Sequence, residues 1–161
     1  MYRTIAIIFV ISLSLQSNAQ EKQEKYIPFF DIVQANGTRL KATDLTPDQP
    51  AMIIYFDPDC DHCVTFINDV MKNAAIFKNA EVVLITYVPL RRLKSYISES
   101  GLNNYPQFKA GTEGTRFTVR YHYDVIQFPY VALHDRTGKM FTSFESEIPR
   151  ATELADMLKG R

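Results

Sequence analysis

The amino-acid sequence predicts an α/β fold: a central mixed β-sheet flanked by helices, with a short β extension on its N-terminal side. Three observations carry that prediction. Two near-continuous apolar runs, 51–56 (AMIIYF) and 81–88 (EVVLITYV), have the pattern of strands covered on both faces, as in parallel sheets. Between them Val64, Ile67, Val70, Met71, Ala74 and Phe77 recur at helical spacing, one apolar face of a helix over about 60–78. Downstream, residues 130–134, the turn 135–138 and residues 139–144 read as strand, turn and antiparallel partner.

The remaining elements fit around these. Residues 26–33 are apolar and strand-like after Pro28, and the Asn36-Gly37 turn signal joins them to Thr38-Arg39-Leu40 as a small hairpin. Pro47 and Pro50 make 45–50 a loop. A right-handed crossover through the first helix joins the two apolar strands in parallel. Pro89 suits the first turn of a helix over 90–100, which Gly101 ends. Residues 102–110, with Pro106, read as a loop, and 112–123 as a short helix. The aromatics Phe108, Phe117, Tyr121 and Tyr123 are assigned to the core, His122 to the surface or to packing, and His134 to a structural role. A helix over 149–159 closes the chain, with Leu154, Met157 and Leu158 inward.

The size of the chain, 161 residues, suggests one domain, and 46% hydrophobic with 22% charged residues is ordinary for a globular protein with a proper core. Eighteen basic and eighteen acidic residues cancel without a block of one sign. That balance argues against nucleic acid or an acidic membrane surface as partner. Residues 1–19 have the pattern of a secretory signal peptide: Arg3 in a short polar start, the apolar run 5–15, then Ser17-Asn18-Ala19. The run of 11 residues is shorter than the roughly 20 that span a bilayer. The expectation is an exported, periplasmic protein, soluble once cleaved before Gln20; the alternative is an uncleaved N-terminal anchor. Residues 20–25 (QEKQEK) form a polar lead-in expected to be flexible, and 26–161 the domain.

Cys60 and Cys63 are the only cysteines. With two residues between them, both thiols sit on the first turn of one helix, where unpaired backbone N–H groups and the helix dipole favour thiolate. A CxxC pair is also half of a zinc site, but no second pair exists and His122 and His134 lack ligand spacing. As a purely structural disulfide it would close too small a loop to stabilise much. A single close pair in an exported chain therefore points to thiol–disulfide exchange. The competing function is a copper-binding module, since soft thiolates suit Cu(I).

Four features resemble the thioredoxin fold, and more closely the exported thiol–disulfide oxidoreductases of the TlpA/ResA type, over roughly 26–161. Cys60-Asp61-His62-Cys63 follows a buried strand; Phe128-Pro129 precedes a later strand; VALHDRTGKM matches the strand, Asp-x-x-Gly-Lys turn and next strand; and the Asn36-Gly37-Thr38 hairpin matches the N-terminal extension. The resemblance implies Cys60 as nucleophile, Cys63 as resolving thiol, a Cys60–Cys63 disulfide as the only redox group, and a cis Pro129. It implies that the backbone of Phe128 pairs with an extended segment of a disulfide-containing or dithiol protein, and that a membrane donor supplies electrons. Asp61 and His62 are expected to tune the couple: protonated His62 favours the Cys60 thiolate, whereas Asp57, Asp59 and Asp61 oppose it. The sequence departs from the family at 57–59, where Asp-Pro-Asp replaces an aromatic-rich segment with tryptophan. It also has Ile54 where thioredoxin places a buried acid, so the proton acceptor for Cys63 is left unassigned. The peroxiredoxin pattern is absent. Nothing in the sequence specifies oligomeric state.

Overall fold

A computed structural model describes residues 24–161. The expected signal peptide, and residues 20–23 of the lead-in, lie outside the described residues. Seven strands form one sheet among these residues: β1 (Asp31–Gln34), β2 (Arg39–Lys41), β3 (Ala51–Tyr55), β4 (Glu81–Thr86), β5 (Phe108–Thr112), β6 (Tyr130–His134) and β7 (Met140–Glu145). Their order across the sheet is β2-β1-β5-β4-β3-β6-β7. Strands β3, β4 and β5 run parallel; β6, β7, β1 and β2 pair antiparallel to their neighbours. Four helices flank it: α1 (Asp61–Lys72), α2 (Leu90–Ser100), α3 (Thr118–Tyr123) and α4 (Ala151–Leu158). No helix among the described residues is long and apolar enough to cross a membrane.

The period-2 geometry of the strands divides the core. Met52, Ile54 and Phe56 face one side, where α1, α2 and α4 contribute Phe66, Ile67, Val70, Leu93, Tyr96 and Leu154. Ile53 and Tyr55 face the other, with Ile32 of β1 and Val119 and Tyr123 of α3. Every residue of β3 is buried, which explains its unbroken apolar run. Each such Ile or Met side chain contributes about 1.5–3 kcal/mol by leaving water.

The structure corrects several expectations. Residues 108–112 are a strand, not a loop: β5 pairs with β4 in parallel and with β1 antiparallel. The sequence FKAGT has weak strand propensity, but Gly111 lets β1 come close. A Cβ there would stand 2.7 Å from Ile32. The first helix stops at Lys72 rather than 78. The Asn73 amide donates to the Asp69 carbonyl at 2.9 Å and so takes up a helix-end acceptor. Ala74 and Phe77 are buried, but from a following 3-10 turn. The short helix begins at Thr118, after Phe117 in a left-handed conformation (φ 50°). Tyr121 is 72% exposed and Met157 37%, so neither belongs to the core. At the end of the lead-in, the Lys25 carbonyl accepts the Met140 N–H at 2.8 Å.

His134 ends β6 fully buried, and its Nε2 shares a hydrogen bond of 3.0 Å with the Tyr123 hydroxyl. Burial pushes its imidazole down from 6.5 to about 4. The unfolded chain therefore binds more protons, and stability falls as pH drops from 6.5 towards 4. His134 should account for about 3 kcal/mol of the loss between pH 7 and pH 4. In urea titrations the His134→Leu protein should lose about that much less than wild type over this range; equal losses would contradict the assignment.

Candidate active site

The registers of the sheet bring the singled-out residues to one edge. Tyr55 of β3 pairs with Ile85 of β4, and the Phe56 N–H continues the ladder to the Ile85 carbonyl, so Asp57 and Tyr87 leave the sheet side by side. Thr86 pairs with Thr112 of β5, which delivers Glu113 to the same edge. Strand β6 runs the other way. Its first residue, Tyr130, pairs with Tyr55, so Phe128 and Pro129 enter where β3 exits. Carboxyl ends of parallel strands are where open α/β sheets place their sites.

Cys60 is the residue immediately before α1, in extended conformation (φ −96°, ψ 116°). Its N–H donates to the Asp57 carbonyl at 3.1 Å, and its own carbonyl accepts the Val64 N–H at 3.0 Å. The chain thus makes a tight turn that holds Cys60 at the helix mouth, half-buried. Cys63 lies one turn in, fully buried against Phe56, Phe66 and the other residues under α1. Both are free thiols. Burial pushes the Cys63 thiol well above its ordinary range; a backbone hydrogen bond with Asp57 opposes this, while a hydrogen bond to the Cys60 sulfur and the charges of Cys60 and Asp57 add to it. The two sulfurs are therefore differently placed: the outer one half-buried and reachable, the inner one fully buried, which favours its thiol form.

The three aspartates around the cysteines have different surroundings. Asp59 is ion-paired with Arg92 of α2 at 2.7 Å, and Arg92 also faces Glu99 at 3.7 Å. Asp57 accepts the Tyr87 hydroxyl at 2.5 Å on one oxygen and the Asp59 N–H at 2.9 Å on the other. The bond to Asp57, with burial second, pushes the Tyr87 phenol up to about 12. Asp61 makes no side-chain hydrogen bond or ion pair among the described residues, and Asp61 and His62 are both exposed. They line a groove of about 650 Å³ together with Phe66, Pro129, Ile148 and Arg150.

The Phe128–Pro129 bond is cis. Phe128 stacks on Tyr55 and Tyr87 at centroid distances of 6.0 and 5.9 Å. Arg120 of α3 lays its guanidinium over Phe128, Tyr87 and Phe117 at 5.5–5.8 Å, a cation–π arrangement that stiffens this side of the site. Glu113, buried, supports it by accepting the Tyr55 hydroxyl at 2.7 Å and the Val119 N–H at 2.8 Å. Sequence reading missed Tyr87, Arg92, Glu113 and Arg120. The parallel register of the two apolar runs was the one signal that could have placed Tyr87 beside Asp57. Among the described residues no group of three or more His, Cys, Asp or Glu side chains gathers to hold a metal, which leaves Cys60 and Cys63 as the only thiolate donors.

Neither a protein-family model nor a curated protein matches the sequence. Solved structures do match. A secreted disulfide oxidoreductase of Mycobacterium tuberculosis, homologous to E. coli DsbE, aligns with TM-score 0.67 and 18% identity over 80% of this chain and 93% of that one. A thiol–disulfide oxidoreductase of Bacteroides fragilis aligns with TM-score 0.66 and 17% identity, over 83% of this chain and 100% of that one. The peroxidoxin BcpB of M. tuberculosis aligns with TM-score 0.69 and 14% identity, over 84% and 96%.

Two outcomes test this geometry. Iodoacetamide added to the folded, reduced protein at pH 8 should alkylate Cys60 and spare Cys63, both reacting once urea unfolds the chain; mass spectrometry reads the sites, and equal labelling when folded would contradict the burial. Glu113→Ala strands the Tyr55 hydroxyl and the Val119 N–H, so unfolding free energy should fall by about 3 kcal/mol; a fall below about 1 kcal/mol would show that Glu113 does not hold α3.

Thiol–disulfide oxidoreductases are thus among the chain's structural neighbours, and the chain itself has the thioredoxin-like fold.

Proposed function

We propose that the protein is an exported thiol–disulfide oxidoreductase that reduces disulfide bonds of partner proteins through Cys60 and Cys63. One observation carries the reading: a half-buried cysteine at a helix mouth, with a fully buried one a turn further in. That is the asymmetry an exchange reaction needs. The Cys60 thiolate attacks one sulfur of the partner's disulfide. A Cys60–partner bond forms, the partner's S–S bond breaks, and its electron pair leaves on the second partner sulfur, which takes a proton. Cys63 then attacks Cys60, the Cys60–Cys63 disulfide forms, and the first partner sulfur leaves as a thiol. The partner gains two electrons and the protein loses two. Run backwards, the same steps oxidise a dithiol.

Support for the remaining points is of different kinds. The groove lined by His62 and Pro129 supports pairing with an extended partner segment, and Phe128 directly precedes Pro129. The exposure of Asp61 and His62, between the two cysteines in sequence, supports a role in tuning the couple. Export rests on the signal-like pattern of residues 1–19, and the Mycobacterium protein of the same fold is described as secreted. In an oxidising compartment a reductase must be re-reduced, which calls for a dithiol or membrane-bound electron donor.

With dithiothreitol as donor, the protein should accelerate reduction of insulin disulfides, read as turbidity. Cys60→Ser should abolish the acceleration. Cys63→Ser should instead accumulate a mixed disulfide with the substrate, visible on non-reducing gels. Unchanged turnover in Cys60→Ser would refute the proposal.

A further inference from the structure

Large apolar side chains left singly at a protein surface are ordinary. Six are exposed among the described residues, and two of them are not single. Tyr121, 72% exposed, and Ile126, 77% exposed, line one hollow of about 490 Å³ together with Phe117 and Val125. This hollow shares no lining residue with the groove of His62 and Pro129. We propose that it is a docking surface for the partner protein, taking a large apolar or aromatic side chain that the partner carries near its reactive cysteine. This rests on the oxidoreductase reading and names a substrate preference within it.

Three observations carry the proposal. A row of rings leads from the hollow to the cysteines. Tyr121 meets Phe117 edge-on at 6.0 Å between centroids, Phe117 meets Tyr87 at 6.1 Å, and Tyr87 stacks on Phe128 at 5.9 Å. Phe128 directly precedes Pro129, and the Tyr87 hydroxyl donates to Asp57 in the turn before Cys60. Phe117, Tyr87 and Phe128 are each only partly buried, so an apolar strip continues from the hollow to the neighbourhood of the reachable sulfur.

The charges at the hollow are already matched. Asp124 is ion-paired with Lys25 at 2.9 Å. Arg120 lies over Phe117, Tyr87 and Phe128 at 5.5–5.8 Å, and its Nε donates to the Val125 carbonyl at 3.3 Å. Neither group is left to attract an opposite charge, so a neutral apolar side chain gains most by entering. The backbone also fixes the surface. The Ile126 and Gln127 N–H groups both donate to one Glu145 oxygen, at 2.8 and 2.6 Å, and this anchors the segment that carries Ile126. At the two ends of α3, Phe117 (φ 50°) and Asp124 (φ 56°) are both left-handed, a conformation a bulky residue such as Phe adopts only where its surroundings hold it there. A surface fixed in advance loses little freedom when a partner docks.

The test uses short synthetic peptides whose one cysteine is blocked as its thionitrobenzoate disulfide, mixed with the reduced protein in stopped flow. Cys60 attacks the peptide sulfur, the Cys60–peptide bond forms, and thionitrobenzoate leaves with the electron pair and is read by its absorbance. Phe, Ala, Asp or Lys is placed in turn at each position flanking the cysteine. At low peptide concentration the best-placed Phe should react roughly tenfold faster than Ala at the same position, and Asp and Lys no faster than Ala. The gain should lie in the peptide concentration that gives half the limiting rate, not in the limiting rate itself. In the double variant Tyr121→Ser with Ile126→Ser the Phe-to-Ala ratio should fall below about two. Tyr121→Phe, which keeps the ring, should retain the preference. So should Phe29→Ser, which removes an exposed ring outside the hollow.

A double variant that keeps the tenfold ratio, or a wild type that shows none, overturns the proposal. Equal slowing of Phe and Ala peptides in the double variant also overturns it, because the substitutions would then be acting on Cys60. Sedimentation that finds wild type dimeric and the double variant monomeric would give the surface to a second copy of the chain. Flotation of wild type with phosphatidylcholine vesicles, lost in the double variant, would give it to lipid; either result overturns the proposal. No thionitrobenzoate release from any peptide, or release that survives Cys60→Ser, is a failure of the oxidoreductase reading, whereas release without a Phe preference is a failure of this proposal alone.

Discussion

The burial of β3 along its whole length is the constraint on which the site depends. A strand covered on both faces must lie in the middle of the sheet, and β3 lies between a parallel neighbour, β4, and an antiparallel one, β6. Those two directions decide which chain segments meet. The parallel partner releases Tyr87 beside Asp57; the antiparallel partner admits Phe128 and Pro129 at the same edge. The chain leaving β3 has nowhere to go except over that edge, and Asp57-Pro58-Asp59 turns it there into α1. Cys60 falls at the mouth of the helix and Cys63 under its first turn, because the apolar face of α1 must lie on Met52, Ile54 and Phe56.

From this follows the difference between two sulfurs that are chemically identical. One stands where backbone N–H groups are unpaired and solvent can reach; the other is packed among aromatic and aliphatic carbon. The polar groups nearby are organised rather than merely abundant. Arg92 takes up the charge of Asp59, Tyr87 holds Asp57, and Glu113 fixes α3, whose Arg120 lies across Phe128 and Tyr87. Asp61 and His62 remain at the surface beside the groove. Asp57 and Asp59 thus each have a partner, whereas Asp61 has none among the described residues.

What was legible in the sequence was whatever depends on local pattern. The buried strands, the Asn36-Gly37 hairpin, the strand over 130–134 and the helix over 90–100 appear where the apolar periods and turn residues placed them. So does the cysteine pair at the start of α1. What was not legible depends on contact between distant segments. Strand β5 is specified less by its own residues than by the close approach of Ile32 to Gly111. Tyr121, on an aromatic-rich helix, is exposed because the short helix has only one face against the sheet, taken by Val119 and Tyr123. Arg92 and Arg120 are unremarkable in sequence and acquire roles only from the aspartate and the aromatic rings that the fold brings to them. Glu113 reads as a surface residue until β5 is recognised as a strand that carries it to the buried edge.

The central claim is that Cys60 and Cys63 form one reversible redox couple. Equilibration of the metal-free protein with glutathione buffers, read by thiol trapping and mass spectrometry, tests it most directly. The account predicts a single two-electron transition with a potential between about −270 and −120 mV, absent in Cys60→Ser. A protein whose thiols oxidise independently, or that shows no reversible transition, would contradict it.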